Sequence, residues 1–155
     1  MELADIVSQE SVIPCAKVAS KRQLLELLAE KAAGLVGVEA HTIFETLIAR
    51  EQLGSTGLGN GIAIPHGKIK DLPGVTAVFA RLVQPIDYDA VDDQPVDLVM
   101  MLLAPEGSGA DHLKALSRVA RLLRTEGVVE QLRATKDPEK LRDMLIAPAE
   151  VTDAA

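Results

Sequence analysis

The stretch Gly54-Ser55-Thr56-Gly57-Leu58-Gly59-Asn60-Gly61-Ile62-Ala63-Ile64-Pro65-His66-Gly67-Lys68 is glycine-dense and nearly uncharged until it delivers one histidine. Pro65 fixes its own φ and biases Ile64 toward an extended backbone. Gly67 removes the side chain on the other flank, so a bulky group could approach the imidazole closely. The pattern predicts His66 at the end of a short strand, facing a cleft. Neutral imidazole is a competent nucleophile toward a phosphoryl group. The phosphoramidate it forms is suited to passing that group on rather than hydrolysing it. A relay of this kind needs an exposed histidine, a second polar group for the phosphoryl oxygens and an apolar rim for docking, and it needs no bound cofactor.

Two further histidines complete the set, His41 and His112. His41 falls in the opening turn of a helix among polar neighbours and reads as a surface residue. His112 follows Asp111 where a Gly-containing loop enters an amphipathic helix. A helix N-terminus disfavours imidazolium and offers free N–H groups to an anion, so a neutral His112 could hydrogen-bond near a phosphoryl group. Taken alone, such a residue is more often a cap or a surface side chain. Arg50, four residues before Gly54, could bring a positive charge to the same cleft, although a cation at a helix C-terminus is favourable in itself.

Competing chemistries fit less well. No histidine pair has metal-ligand spacing, and Glu106 and Asp111 are explained by a loop and a cap, so no metal is expected. Ser55 and Ser108 lack a GxSxG elbow. The glycine run is not a phosphate-binding P-loop, because Gly61 is followed by Ile62-Ala63-Ile64-Pro65. As a dinucleotide fingerprint it has the wrong third spacing and opens no helix.

The elements that must hold these residues are legible in outline. Ser20 is a plausible N-cap for a helix through Leu24, Leu25, Leu27, Leu28 and Ala32 that ends near Gly34 to Gly37. A second helix carries Ile43, Phe44, Leu47 and Ile48 and stops at Gly54. Ile62 and Ile64 suit a short strand. Residues 75–83 and 96–104 read as strands buried on both faces, joined by a polar connection from Pro85 to Pro95. After the loop 105–109, an amphipathic helix presents Leu113, Leu116, Val119, Ala120 and Leu123. A shorter helix covers 128–133, and Asp137-Pro138 opens a last one through Leu141 and Leu145. The order predicts an α/β sandwich in a single domain over 1–155, with a core from about 3 to 146 and a frayed tail from 147 to 155.

Composition narrows the classes. Of 155 residues, 48% are hydrophobic but 2% aromatic, so the core is aliphatic and base-stacking nucleic-acid modules are disfavoured. A formal charge of −7 argues against broad attraction to nucleic acid or anionic membrane. The basic stripe Lys114, Arg118, Arg121 and Arg124 reads as the solvated face of its helix. Cys15 is the single cysteine, which excludes an internal disulfide and reads as a small half-buried residue. Without a signal-peptide pattern or a membrane-length apolar run, a cytoplasmic protein with no membrane insertion is expected.

Arg50-Glu51 followed by the 54–68 stretch resembles the signature of phosphotransferase-system IIA proteins of the fructose/mannitol type, and most closely the nitrogen-regulatory branch. Asp111-His112-Leu113 through Leu116-Ser117 and Val119-Ala120 is similar to that family's second histidine segment. The resemblance runs from about Leu3 to Ile146. It implies a mixed, mostly parallel sheet flanked by helices. It implies that His66 accepts a phosphoryl group on Nε2 from an HPr-like phosphocarrier, that His112 contacts the group without carrying it, and that Arg50 lines the cleft. Regulated partners would be of the family's range: potassium transporters, sensor kinases and alarmone synthetases. With no IIB-like domain in view, the stand-alone regulatory branch is favoured. A IIA subunit passing phosphate to a IIB domain and a phosphorylation-independent interaction module are the alternatives.

Overall fold

A computed structural model describes residues 2–147. Its centre is a mixed sheet. The strands are β1 (Val12–Ala16), β2 (Gly57–Gly59), β3 (Ile62–Ala63), β4 (His66–Ile69), β5 (Thr76–Ile86) and β6 (Val96–Pro105). They are ordered β1-β5-β6-β3-β2, with β4 also paired to β6. The β1/β5, β3/β6 and β4/β6 pairings are parallel, and β5/β6 and β2/β3 are antiparallel. The expected α/β sandwich with a mostly parallel sheet is what forms.

One face of the sheet is covered by α1 (Lys21–Val36) and α2 (Ala40–Gln52). The other carries α3 (Gly109–Leu122), α4 (Glu126–Ala134) and α5 (Pro138–Leu145). Strand alternation separates the two cores. Val99, Met101 and Leu103 of β6 pack with Leu24, Leu28 and Leu47, whereas Leu98, Met100 and Leu102 pack with Val119, Leu132 and Leu141. Ser20 caps α1 by accepting from the Gln23 amide at 3.1 Å, and Gly37 closes it at φ 75°. Asp137 caps α5, with Pro138 in the first turn.

Several expectations are corrected. The segment 12–16, which contains Pro14, forms a strand that the sequence reading does not include. An edge position tolerates that residue, since no ladder bond is demanded of its missing N–H on the open side. Cys15 is exposed on this strand rather than half-buried. Strand β5 runs through Pro85 to Ile86, past the predicted loop boundary, and Pro85 falls where the register with β6 shifts between Arg81 and Ile86. In α3 the stripe facing the sheet is His112, Ala115 and Val119, so Leu113 is turned out and 66% exposed. The predicted fraying of 147–155 falls, from 148 onward, outside the described residues.

Candidate functional site

His66 opens β4 rather than ending a strand. Ile62 and Ala63 lie opposite Leu98 and Val99, and His66 to Ile69 lie opposite Leu102 to Pro105, with the same offset. Strands β3 and β4 are thus one lane along β6, interrupted at Ile64-Pro65, where proline has no amide to offer. The Pro65 carbonyl keeps contact by accepting from Leu102 N at 2.9 Å. Alternation then assigns the faces. Ile62 and Ile64 are buried in the α3–α5 core, Ala63 and Ile69 in the α1–α2 core. His66 and Lys68 share the α3 side. Gly67 points at α2, where a Cβ would stand 2.5 Å from Thr46 Cγ2. Its glycine is demanded by helix packing, not by access to the ring as the sequence had implied.

The His66 ring is half-buried, and its Nδ1 lies 2.9 Å from the Ile64 carbonyl oxygen. A carbonyl can only accept, so Nδ1 carries the proton and neutral His66 presents its lone pair on Nε2. The ring of His112 meets it edge-on, with centroids 5.6 Å apart and an interplanar angle of 69°. His112 is 6% exposed, and its Nε2 is buried with no hydrogen-bond partner among the described residues. An orphaned buried polar atom costs about 1–3 kcal/mol, which marks a position where a further polar group would be welcome. Burial lowers the pKa of His66 below 6.5. The Ile64 hydrogen bond opposes this, Arg50 reinforces it and Glu51 opposes it. His112 is lowered too, by burial and then by the charges of His66 and Lys68. Both rings are neutral near pH 7.

Arg50 sits in the last turn of α2 and donates from Nη1 to the Gly54 carbonyl at 3.0 Å, hooking the helix end to the glycine-rich loop. Its neighbour Glu51 is buried to 5% side-chain exposure and forms the centre of a polar cluster. It accepts from Lys21 Nζ at 2.9 Å, from Thr56 N at 3.1 Å and from the Thr56 hydroxyl. Thr56 Oγ1 lies 3.0 Å from the Tyr88 hydroxyl, and Lys21 Nζ stands 4.4 Å from the centre of the Tyr88 ring. Burial, then the charge of Glu51, pushes the Tyr88 phenol far up, so it remains a neutral donor.

The structure therefore brings His66, His112 and Arg50 into one neighbourhood, while His41 lies on the surface beside Glu45 at 3.7 Å. Sequence reasoning missed Lys68, Glu51, Thr56 and Tyr88. Lys68 was findable, because a residue two after His66 in a strand must share its face. Tyr88 was flagged by rarity, as the single tyrosine of an aromatic-poor chain.

Two cavities, of about 540 and 530 Å³, lie against α3 and are lined by neither histidine. Exposed Leu58 lines the first of these cavities and exposed Leu113 the second. Among the described residues no cluster of three or more metal-ligating side chains exists, and no helix is long and apolar enough to cross a membrane.

Comparison with known proteins gives the family. The family described as "Phosphoenolpyruvate-dependent sugar phosphotransferase system, EIIA 2" matches residues 5–147. A nitrogen regulatory protein of Bradyrhizobium diazoefficiens is 51% identical over 148 residues, spanning 96% of this chain and 97% of that one. The crystal structure of the nitrogen regulatory protein IIA-Ntr from Neisseria meningitidis superposes with a TM-score of 0.88 at 34% identity, over 92% of this chain and 98% of that one. The mannitol enzyme IIA of Escherichia coli, solved in complex with phosphorylated enzyme IIB, shares the fold with a TM-score of 0.77 at 23% identity, over 92% and 98% of the two chains. With its fold and with relatives matched over most of both chains, the chain belongs to the EIIA 2 family of the phosphoenolpyruvate-dependent sugar phosphotransferase system, as a homologue of the nitrogen regulatory IIA proteins.

Proposed function

We propose that this protein is a regulatory phosphocarrier that accepts a phosphoryl group on His66 from an HPr-like protein and controls partner proteins by its phosphorylation state. The observation that carries this reading is the tautomer of His66. With Nδ1–H committed to the Ile64 carbonyl, Nε2 holds the free lone pair at the surface. That lone pair forms the new N–P bond as the bond from phosphorus to the donor's ring breaks, its electron pair returning to the donor. The positive charge that grows on the His66 ring is met by the Ile64 carbonyl. His112, whose Nε2 lacks a partner, supplies an N–H to a phosphoryl oxygen, and Arg50 adds positive charge at the loop.

Adding a phosphoryl group places up to two negative charges at this surface and changes which proteins can dock there. The partner classes implied by the nitrogen-regulatory resemblance are potassium transporters, sensor kinases and alarmone synthetases. The mannitol relative, solved with phosphorylated IIB, favours a second reading in which the group moves on to a IIB domain. Incubation with phosphoenolpyruvate, enzyme I and an HPr-type carrier, followed by intact mass measurement, tests the proposal. One acid-labile phosphoryl group on the wild type, absent from His66→Ala, is expected. An unmodified wild type under conditions that phosphorylate the carrier refutes it and leaves an interaction module. Onward transfer to an added IIB domain distinguishes the second reading.

A further inference from the structure

A continuous run of hydrogen bonds leads from the buried cluster around Glu51 to the ring of His66. The Glu51 carboxylate, fixed by Lys21 at the start of α1, holds both the amide and the hydroxyl of Thr56. The Thr56 carbonyl accepts from Ile64 N at 3.0 Å. The Ile64 carbonyl, on the next peptide, accepts from His66 Nδ1 at 2.9 Å. Thr56 is 4% exposed, and Ile64 is buried at 4%. The carbonyl that sets the His66 tautomer lies in the gap left by Pro65, between the parts of the lane that pair with β6 on either side. Its own residue is tied instead through its amide to Thr56, and Thr56 is tied to Glu51.

We propose that Glu51 is a positioning residue for His66, acting through Thr56 and the Ile64 backbone to hold the Ile64 carbonyl where it fixes the proton on Nδ1. Nothing in this role brings Glu51 into contact with a phosphoryl group, since its oxygens are occupied by Lys21 and Thr56. The kinetic consequence rests on the phosphoryl-acceptor reading of His66, whereas the tautomer itself does not. Removing the carboxylate frees Thr56 and, with it, the Ile64 peptide. The ring can then turn or exchange its proton to Nε2, which abolishes the lone pair at the surface. Outer partners that orient metal-binding histidines are worth about ten- to a hundredfold in activity, and the same scale is expected for Glu51.

The test compares Glu51→Met, Glu51→Gln, Thr56→Val and wild type in the full chain. The His66 tautomer is read from long-range ¹H–¹⁵N couplings of ¹⁵N-histidine-labelled protein, and phosphoryl acceptance from an HPr-type carrier is followed separately. Glu51→Gln retains an oxygen for Thr56 N and an amide that can donate to Thr56 Oγ1, so it is expected to keep the Nδ1–H form. Glu51→Met removes both acceptors and should give a mixture of tautomers with acceptance slowed about ten- to a hundredfold. Thr56→Val, which preserves shape, should shift both readouts in the same direction and carries the test if Glu51→Met does not fold. A folded Glu51→Met or, in its place, Thr56→Val that keeps the wild-type tautomer overturns the proposal. Failure of the wild type to accept a phosphoryl group would refute the acceptor reading while the tautomer measurement still judged Glu51.

Discussion

Gly57 and Gly34 should respond in opposite ways to the same substitution, and the reasons are visible atom by atom. A Cβ placed on Gly57 would stand 2.8 Å from Ala90 Cβ, 2.9 Å from Ala90 Cα and 3.1 Å from Tyr88 Cδ1. Carbon atoms rest about 3.5–4.0 Å apart, so the 88–91 segment would have to retreat by roughly an ångström. It is not free to do so cheaply, because Val91 N donates to the Gly57 carbonyl at 3.1 Å and Tyr88 is held at Thr56. Overpacking of this kind costs about 1–3 kcal/mol. For a chain of this length about 2 kcal/mol lowers the melting temperature by about 4–8 °C. Gly34 lies within α1, and nothing stands within 4 Å of its Cβ position. Gly34→Ala should therefore stabilise by about 0.5–1 kcal/mol through helix propensity alone. Thermal unfolding by circular dichroism gives both signs, and tyrosine fluorescence reports the displaced contact directly, since Tyr88 is the single tyrosine and there is no tryptophan. A Gly57→Ala protein melting at or above the wild-type temperature would refute the packing argument.

Further outcomes follow from the same geometry. His112→Leu removes the orphaned Nε2 and should raise stability by about 1 kcal/mol while slowing phosphoryl acceptance; a less stable protein accepting at the wild-type rate would contradict both halves. Folded-state pKa values of His66 and His112 lie below 6.5, so the unfolded chain binds more protons beneath that pH. The two residues therefore lower stability progressively as pH falls from 6.5 through their folded values. Denaturant midpoints measured across that range should show the decline, and it should shrink in a variant with glutamine at both positions. Acceptance should fall over the same acidic range, because the protonated ring has no lone pair. Arg133 donates to Asp97 at 2.9 Å and to the Asn60 carbonyl at 2.6 Å, tying α4 to the turn before β3. Arg133→Met should cost about 1–2 kcal/mol in urea unfolding, and no loss would show that the turn holds itself.

The helices and the two long strands were legible because caps, prolines and apolar periods announce them locally. Ser20, Gly37 and Pro138 each act within a turn of their own position. His66 and Arg50 were legible as candidates because Pro65 restricts the backbone just before the histidine and Arg50 stands four residues ahead of Gly54, which lies beyond the end of α2. What escaped was information held between distant residues. His112 is singled out in the sequence as a phosphoryl-contacting candidate, but its burial is not legible there: the facing strand sets the rotation of α3, turning His112 inward and Leu113, expected on the apolar face, outward. Glu51 and Tyr88 are separated by 37 positions in the chain and meet through Thr56, a contact that local patterns do not encode. Strand β1 contains Pro14, whose tolerance depends on its being at the sheet's edge, a position that only the assembled sheet reveals.

The unbroken offset of β3 and β4 along β6 makes the placement of His66 a matter of parity. Ile62, Ile64, His66 and Lys68 are even-numbered and share one side of the sheet; Ala63, Gly67 and Ile69 are odd and share the other. A single residue deleted or inserted at the Ile64-Pro65 gap would exchange the faces of His66 to Ile69 while leaving Ile62 and Ala63 in place. The imidazole would then be driven against Thr46, where even a methyl group does not fit, and the glycine would take its place at the surface. The length of this segment is consequently under stricter constraint than its composition. Conservative replacements at Ile62 or Ile64 adjust packing, whereas a change of one in the count removes the reactive ring from the outside world.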